Sequence, residues 1–307
     1  MPVDNGRRQI ADSSRRESLA ARTKRLLMYY NLRASKRFGQ NFLIDRNVLH
    51  KIVEAAKIDR ADRVMEIGPG LGTLTAELLK CAAKVVAVEL DRAMFDMLGH
   101  ELGQAGNLVL VEGDILKLDW EELWQREFSG HPAIVLGNIP YNISTPIIIK
   151  LLAHHKLIAR AVLMIQREVA DRLQAKPGNK DYGALTVAVA YRAAVQRIMT
   201  VSPRAFTPSP KVSSAVIRLD MLPQPSVSVR DETFFFKVVR GAFQQRRKIL
   251  ANSLADNLNL SKEQIIQAME AAEIPPKARP EELSLAAFGR LSDTLLSHIS
   301  KRRVNNL

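Results

Sequence analysis

Cysteine is almost absent from this sequence, and no long apolar run occurs in it. The single cysteine, Cys81, excludes an internal disulfide and any cysteine-based zinc cluster. It falls in a helix-like stretch, where we expect a packed thiol rather than a nucleophile. The six histidines are scattered without metal-ligand spacing, so no metal site is expected. No segment is apolar for long enough to span a bilayer or to form the core of a signal peptide. These absences favour a reducing, cytoplasmic setting with no membrane association.

Acidic residues are also scarce relative to basic ones. The 307 residues include 45 lysines and arginines against 32 acidic residues, which gives a net charge of +13. Such an excess calls for a polyanionic partner, and nucleic acid is the expected one, with binding that weakens as salt rises. An acidic membrane surface would also suit the charge. The hydrophobic content of 47% ensures a packed core, and the length suits one α/β domain with a smaller second one.

Composition along the chain predicts three regions. Residues 1–35 are polar and rich in arginine, and we expect a mobile basic arm there that either touches phosphates or is simply solvated. The segment Met221-Leu-Pro-Gln-Pro225 resembles a linker, which divides an α/β domain of residues 36–222 from a second domain of residues 223–307. The second domain is expected to be helical from Thr233 to Ser300, with a break at Pro275-Pro276.

Strand and helix patterns alternate through the larger domain. Strands are predicted at 63–67, 84–89, 108–112, 133–137 and 161–166, with helices at 47–57, 73–83, 92–102 and 145–154. Two late strands are predicted at 195–201 and 213–220. This order demands a doubly wound parallel sheet with right-handed crossovers. Ligands of such sheets gather at the carboxyl ends of the strands, where Glu66, Glu89, Asp114 and Asn138 lie.

The glycine-rich loop Gly68-Pro-Gly-Leu-Gly72 follows the first strand and is shared by dinucleotide enzymes and methyltransferases. Three details favour S-adenosylmethionine. The loop lacks the full G-x-G-x-x-G pattern, and Glu66 before it can engage a cationic methionine group. Glu89 can accept hydrogen bonds from both ribose hydroxyls, a role that also suits NAD. Asp114 can accept a hydrogen bond from the adenine amine of the cofactor.

The tetrapeptide Asn138-Ile-Pro-Tyr141 ends the fourth strand and suits alkylation of the exocyclic amine of a nucleobase. The lone pair of that amine is delocalised, so acceptors for its two N–H groups favour the nucleophilic geometry. Asn138 Oδ1 is one such acceptor, and the backbone carbonyl of Pro140 or Ile139 could be the other. Tyr141 offers a face for the base to stack on, with Phe206 as the candidate for the opposite face. The alternatives are an ordinary strand-end turn for the tetrapeptide and core packing for Phe206.

Several ordered blocks together resemble the bacterial small-subunit rRNA adenine dimethyltransferases (KsgA type), from about Arg37 to the end of the chain. The blocks are Phe38-Gly-Gln-Asn-Phe-Leu43, Glu66-Ile-Gly-Pro-Gly70, Val88-Glu-Leu-Asp91, Gly113-Asp114, Gly137-Asn-Ile-Pro-Tyr-Asn-Ile-Ser-Thr-Pro146, Gln166-Arg-Glu-Val169, Ala205-Phe-Thr-Pro-Ser-Pro-Lys-Val212 and Phe243-Gln-Gln-Arg-Arg-Lys248. Enzymes that methylate large-subunit rRNA adenine share the first blocks. They generally lack the Phe-Thr-Pro-x-Pro-Lys-Val block in this form, so they are the second choice.

The resemblance implies a Rossmann-like methyltransferase domain with a small helical RNA-binding domain. It implies transfer of methyl groups from S-adenosylmethionine to N6 of two adjacent adenosines in the 3′-terminal hairpin loop of small-subunit rRNA. The substrate would be an immature 30S particle and the enzyme a monomer with a role in ribosome biogenesis. By the same resemblance Asn41 and Leu43 cover the cofactor. They join Gly68, Gly70, Glu89, Asp114 and Asn138 as cofactor-binding residues. The arm before Ser35 exceeds the usual bacterial length.

Basic residues of the second domain are the candidates for phosphate contacts. The residues in question are Arg246, Arg247 and Lys248, with Lys237 and Arg240 upstream, and a solvated helix surface is the alternative for each. A non-catalytic factor that recognises immature small subunits is a competing function, although the intact Asn138–Tyr141 block argues against binding alone. A small-molecule methyltransferase is disfavoured by the net charge and the basic second domain.

Overall fold

The computed structural model of the chain describes residues 17–35, 37–245 and 248–305, with side chains up to residue 299. The helices are α1 (Leu19–Tyr29), α2 (Arg46–Ala56), α3 (Thr73–Leu78), α4 (Arg92–Leu102), α5 (Trp120–Phe128), α6 (Ser144–Ala153), α7 (Arg167–Leu173), α8 (Ala184–Arg192), α9 (Glu232–Phe243), α10 (Leu250–Leu258), α11 (Lys262–Ala271) and α12 (Leu285–Asn305). The strands are β1 (Phe42–Leu43), β2 (Arg63–Ile67), β3 (Lys84–Glu89), β4 (Leu108–Glu112), β5 (Ala133–Asn138), β6 (Ile158–Gln166), β7 (Ala193–Val201), β8 (Phe206–Thr207) and β9 (Ser214–Met221).

Within this part of the chain the central sheet has seven strands in the order β4-β3-β2-β5-β6-β9-β7. The pairs from β4 to β6 are parallel. Strands such as β3 and β5 are nearly continuous apolar runs, because helices cover both faces of a parallel sheet. The doubly wound sheet expected from the sequence is therefore confirmed.

The order of strands reverses between β2 and β5. The chain runs from β2 outward through β3 and β4, then returns to place β5 on the other side of β2. Glu66 of β2 is in register with Leu136 of β5, so Gly68 and Asn138 follow at the same edge. A reversal of this kind leaves a crevice at the carboxyl ends of the strands, and this crevice is where ligands bind in open α/β sheets.

Helix α1 corrects the expectation of a mobile arm over residues 1–35. Ser18 caps the helix by accepting a hydrogen bond from the N–H of Ala21 at 3.1 Å. Leu19, Thr23 and Leu26 form one buried face, spaced by four and three residues. The prediction of a mobile arm is therefore wrong for residues 19–29. These residues form an amphipathic helix, and the charged residues between the buried ones make its apolar face hard to recognise in the sequence. Residues 1–16 lie outside the described part of the chain.

The chain folds as two compact units. One consists of the residues up to Arg167 with Gln196–Leu219, and holds helices α1 to α6 and the sheet except for the ends of β7 and β9. The other combines Glu168–Val195 with the residues from Asp220 onward. The sequence places one boundary after residue 222, whereas the structure adds Glu168–Val195 to the C-terminal unit.

The C-terminal unit has its own apolar core, in which α9 packs against α10 and α12. Phe235, Leu254 and Phe288 are fully buried in it. The ring of Tyr191 at the end of α8 stacks on Phe235 with centroids 4.9 Å apart, which explains why α8 belongs to this unit. Helices dominate from Glu232 to Asn305 as expected, although turns separate them. Within the residues described, no helix combines the length and the apolar character needed to cross a membrane.

Candidate active site

A cavity lies at the carboxyl edge of the sheet, where β2, β3, β4 and β5 end. Glu66, Glu89, Asp114 and Asn138, each from a different strand end, all line it as expected. The other expected residues that line it are Asn41, Leu43, Gly68, Gly70, Pro140 and Tyr141. The segment from Arg37 to Leu43 forms a further wall of the cavity, the N-terminal wall. The fold therefore brings together residues that are far apart in the chain.

The glycine-rich loop has a backbone that only glycine adopts without strain. Gly68 has φ of +66°, and its N–H donates to the carbonyl of Val88 at 2.9 Å. A Cβ at Gly68 would meet no protein atom within 4 Å, so the space beside it belongs to the cavity. A Cβ at Gly70 would lie 3.4 Å from the ring of Phe42. The loop therefore leaves room for a ligand at Gly68. At Gly70 it lies close to the ring of Phe42 in the N-terminal wall.

Glu66 is a buried carboxyl group without a full set of partners. Burial raises its pKa to about 8, the hydroxyl of Thr75 opposes the rise, and the nearby Glu89 adds to it. Among the described residues, no group forms a hydrogen bond with its Oε2 atom. A buried polar atom left unpaired in a cavity wall is unfavourable until a ligand satisfies it. The donor or cationic group of a methionine moiety fits this requirement.

Glu89 ends β3 and holds the glycine-rich loop. Its Oε1 accepts hydrogen bonds from the N–H groups of Leu90 and Asp91, both at 2.9 Å, and its Oε2 accepts one from Gly70 at 3.0 Å. Burial raises its pKa, while these three hydrogen bonds lower it. A carboxylate has about four acceptor positions, so one position on Oε2 is left for a ligand. This position can accept a hydrogen bond from a ribose hydroxyl, and the expected contact with both hydroxyls stays a prediction.

Asp114 begins the loop after β4. Its Oδ1 accepts a hydrogen bond from the N–H of Leu116 at 2.9 Å. Lys150 of α6 donates from Nζ to the carbonyls of Leu116 and Leu118, at 2.9 and 2.7 Å. Lys150 thus ties this loop to the helix that follows Tyr141. Sequence reasoning missed Lys150, because a lysine on an apolar helix carries no motif.

Asn138 has a fixed carboxamide. Its Nδ2 donates a hydrogen bond to the backbone carbonyl of Asn41 at 2.8 Å. The backbone beyond it is held by the N–H of Ile139, which donates to the carbonyl of Met164 at 3.0 Å. Because the amide nitrogen is engaged, the Oδ1 atom is the part of the side chain that remains to accept a hydrogen bond from a ligand.

The backbone carbonyl of Pro140 already accepts two hydrogen bonds. They come from the N–H of Ile143 at 3.1 Å and from the hydroxyl of Ser144 at 3.3 Å. A carbonyl oxygen has two lone pairs, so its acceptor capacity is used. Of the two carbonyls expected to accept from the base, that of Ile139 is therefore favoured. Pro140 instead holds the turn through its ring and these bonds.

Tyr141 is half-buried and anchored through its hydroxyl. Its Oη lies 2.7 Å from Oγ of the fully buried Ser214. Burial raises the pKa of Tyr141, and the contact with Ser214 opposes the rise. This contact helps to hold the ring in the cavity wall, where its face can stack on a base.

The ring of Phe206 is packed in the core, which corrects the prediction that it contacts the base. It is 3% exposed, does not line the cavity, and pairs with Leu43 across the β1–β8 ribbon. The hypothesis that Phe206 stacks on the opposite face of a base is contradicted, and core packing holds. Phe38, which sequence reasoning did not single out, lines the cavity instead.

Two further expectations concern residues outside this cavity. Lys237 and Arg240 are exposed on α9 of the C-terminal unit, and Lys248 lies 3.7 Å from Asp256. Arg246 and Arg247 lie outside the described residues. In the described ranges, no group of three or more histidine, cysteine or acidic residues is arranged to hold a metal ion. Burial raises the pKa of Cys81, as expected for a packed thiol.

Comparison with known proteins relates this geometry to one family. The family model of ribosomal RNA adenine dimethylases matches residues 31–296. Ribosomal RNA small subunit methyltransferase A of Bacillus cereus (strain B4264) is 45% identical over 281 residues, which cover 90% of this chain and 96% of that protein. The protein of the same name from Bacillus anthracis (strain CDC 684 / NRRL 3495) has the same identity and coverage.

Two solved structures are similar as well. A dimethyladenosine transferase from Plasmodium falciparum has a TM-score of 0.69 and 28% identity, and covers 85% of this chain and 98% of its own. The 23S rRNA methyltransferase ErmE has a TM-score of 0.63 and 27% identity, and covers 83% of this chain and 99% of its own. The similarity therefore extends over both units of the chain.

Proposed function

Because the chain belongs to the ribosomal RNA adenine dimethylase family, we propose that its cavity binds S-adenosylmethionine beside one unstacked adenosine of small-subunit rRNA. The chain is an S-adenosylmethionine-dependent rRNA adenine dimethyltransferase. In this proposal it places two methyl groups on N6 of each of two adjacent adenosines in the 3′-terminal hairpin loop. The relatives named for the small subunit are 45% identical, against 27% for the 23S enzyme, which supports the small-subunit target over the large-subunit alternative.

One observation carries the proposed chemistry: the hydrogen bond from Asn138 Nδ2 to the carbonyl of Asn41. When bound, S-adenosylmethionine supplies an electrophilic methyl group on a sulfonium centre, which is a good leaving group. Asn138 Oδ1 accepts one N–H of the adenine amine, and the Ile139 carbonyl accepts the other. These contacts favour the pyramidal geometry in which the nitrogen lone pair points at the methyl carbon. No strong base is required, because the amine proton becomes acidic once the nitrogen is alkylated.

The cofactor is held by residues from three strand ends. Glu66 accepts from the cationic methionine group, Glu89 Oε2 from a ribose hydroxyl, and Asp114 from the cofactor adenine. Gly68 and Gly70 allow the close approach of the backbone. Asn41 and Leu43 cover the cofactor from the N-terminal wall, an assignment supported by their place in the cavity lining.

The target base must leave its stack to reach Asn138. A loop adenosine does so at lower cost than a paired one. Tyr141 stacks on one face of the base, and the anchored hydroxyl keeps its ring in place. Phe38 takes the role on the other face that Phe206 cannot take, a proposal supported by its position in the cavity lining.

The C-terminal unit is the proposed RNA-binding domain. Arg240 and Lys248, with Lys237, offer exposed cations to phosphates, and Arg246 and Arg247 extend the set by sequence. The net charge of +13 supports such a role. We assign the substrate to rRNA within an immature 30S particle. The enzyme acts as a cytoplasmic monomer and needs no metal.

A non-catalytic assembly factor is the competing function, and one assay separates the two. Undermethylated 30S particles are incubated with the protein and S-adenosylmethionine labelled in the methyl group. The proposal requires label in small-subunit rRNA, as N6,N6-dimethyladenosine after digestion. Binding of the particles without transfer of label would support the assembly factor. Transfer to 50S particles in preference to 30S particles would support the large-subunit alternative.

A further inference from the structure

Helix α1 touches the glycine-rich loop through one arginine. Arg22 donates from Nη1 to the backbone carbonyl of Leu71 and to the hydroxyl of Thr73, both at 3.2 Å. Leu71 and Thr73 line the cavity, whereas Arg22 does not. The guanidinium is part-buried, and burial lowers its pKa, an effect that Glu101 and Glu17 oppose. A desolvated guanidinium is stable only when its donors are paired, so these two bonds define its position.

The helix itself is held independently of Arg22. At its start, the guanidinium of Arg46 donates to the carbonyl of Glu17 at 3.0 Å. At its end, the hydroxyl of Tyr30 donates to Glu101 Oε1 at 2.8 Å. Between them, Leu26 is fully buried in an apolar cluster. The other buried members of that cluster are Phe42, Leu71, Met94, Met97 and Leu98. Helix α1 is therefore a fixed support rather than a mobile arm. Leu71 accepts a hydrogen bond from it and shares an apolar cluster with Leu26.

The loop that this support holds is costly to order. Gly68, Gly70 and Gly72 all have positive φ, of +66°, +55° and +69°. Glycine loses more backbone freedom on ordering than any other residue, so an unsupported loop of this kind would have to be ordered when a ligand binds. A loop that is ordered beforehand binds more tightly, because the ordering has already occurred.

We infer that Arg22 is a positioning residue for the cofactor site, which holds the loop from Gly68 to Thr73 in its binding geometry through Leu71 and Thr73. The inference rests on the proposed cofactor site. It gives this arginine a role inside the protein, through its Nη1 atom, that differs from the phosphate contact expected of a basic arm. It also couples cofactor binding to the folding of helix α1, so that each stabilises the other.

The test compares full-length variants by calorimetry with S-adenosylhomocysteine, the product form of the cofactor. Arg22→Ala should weaken binding about tenfold, within the usual range for coupling between two sites. Arg22→Lys should recover part of the loss, since an ammonium group can reach one acceptor but lacks the planar fork. Arg25→Ala is the matched control, because Arg25 lies on the same helix, is exposed and pairs with Glu17. The control should bind as the unchanged protein does.

Steady-state kinetics separate positioning from a general loss of structure. Arg22→Ala should raise the KM for S-adenosylmethionine by the same factor as the dissociation constant. The KM for undermethylated 30S particles should stay within about twofold. A rise in the KM for the particles, with the KM for the cofactor unchanged, would overturn the inference and restore a phosphate contact.

Hydrogen exchange gives a readout that does not depend on any variant folding well. In the unchanged protein, S-adenosylhomocysteine should slow exchange of the amides in Leu19–Tyr29, although this helix does not line the cavity. Unaltered exchange there on saturation would contradict the coupling. Calorimetry of Glu89→Ala distinguishes a failure of the proposed cofactor site from a failure of the proposed role of Arg22. If Glu89→Ala binds normally, the proposed cofactor site is wrong; if only Arg22→Ala binds normally, the inference about Arg22 alone fails.

Discussion

The side-chain nitrogen of Asn138 donates a hydrogen bond to the backbone carbonyl of Asn41, 2.8 Å away. This contact joins the end of the fourth parallel strand to the N-terminal wall of the cavity. With one N–H of the carboxamide engaged in this contact, the Oδ1 atom is the proposed acceptor for a ligand. The hydrogen bond therefore links Asn138, which is proposed to orient the base, directly to Asn41, which is proposed to cover the cofactor.

Tyr141 is expected to matter through its ring. Tyr141→Ala should lower kcat for methyl transfer strongly, by about tenfold to a hundredfold, since base stacking contributes about 1–3 kcal/mol per base. Tyr141→Phe keeps the ring but loses the contact with Ser214, and should retain most of the activity. Single-turnover rates on 30S particles measure both. Equal losses in the two variants would assign the role to the hydroxyl.

Glu66 should make the stability of the ligand-free protein depend on pH. Its pKa is about 8 in the folded protein against an ordinary value of 4.5, so the folded state keeps a proton that the unfolded state releases. The stabilisation is full below pH 4.5 and is lost as pH rises towards 8. Glu66→Gln mimics the neutral acid and should show a flatter decline of the unfolding free energy between pH 5 and 8. Urea unfolding of both proteins across this range measures the difference, and parallel curves would contradict it.

Phe206 should affect stability more than chemistry. Since the ring is buried against the β1–β8 ribbon, Phe206→Ala should lower the free energy of unfolding by about 3–5 kcal/mol. Phe206→Leu keeps much of the apolar volume and should keep most of both stability and kcat. Thermal unfolding and methyl transfer are compared in the same preparations. A large fall in kcat for Phe206→Leu with unchanged stability would return Phe206 to the active site.

Much of the sheet was predictable because its strands are short apolar runs, and β3 and β5 are almost fully buried. The strands at 84–89 and 108–112 have the predicted bounds, since an apolar run between polar turns has few other solutions. The convergence of Glu66, Glu89, Asp114 and Asn138 followed from topology, because parallel strands share one carboxyl edge.

The features that were missed depend on contacts between distant segments. The burial of Phe206 comes from pairing with Leu43, and no local pattern encodes that register. Helix α1 buries only a narrow face, so its charges dominated the prediction. Lys150 donates hydrogen bonds to two carbonyls of a separate loop. The sequence around Lys150 gives no indication of these contacts.

Methyl transfer depends most directly on the proposed acceptor role of Asn138, and one measurement tests this role. Small-subunit rRNA is analysed by mass spectrometry after timed incubation of undermethylated 30S particles with S-adenosylmethionine and either the unchanged protein or Asn138→Ala. The account predicts N6,N6-dimethyladenosine at two adjacent positions with the unchanged protein. For Asn138→Ala it predicts a rate lower by about a hundredfold or more, the scale of losing one preorganised hydrogen bond at a reacting group. Thermal unfolding should be nearly the same for both. Dimethylation by Asn138→Ala at the unchanged rate would contradict the account.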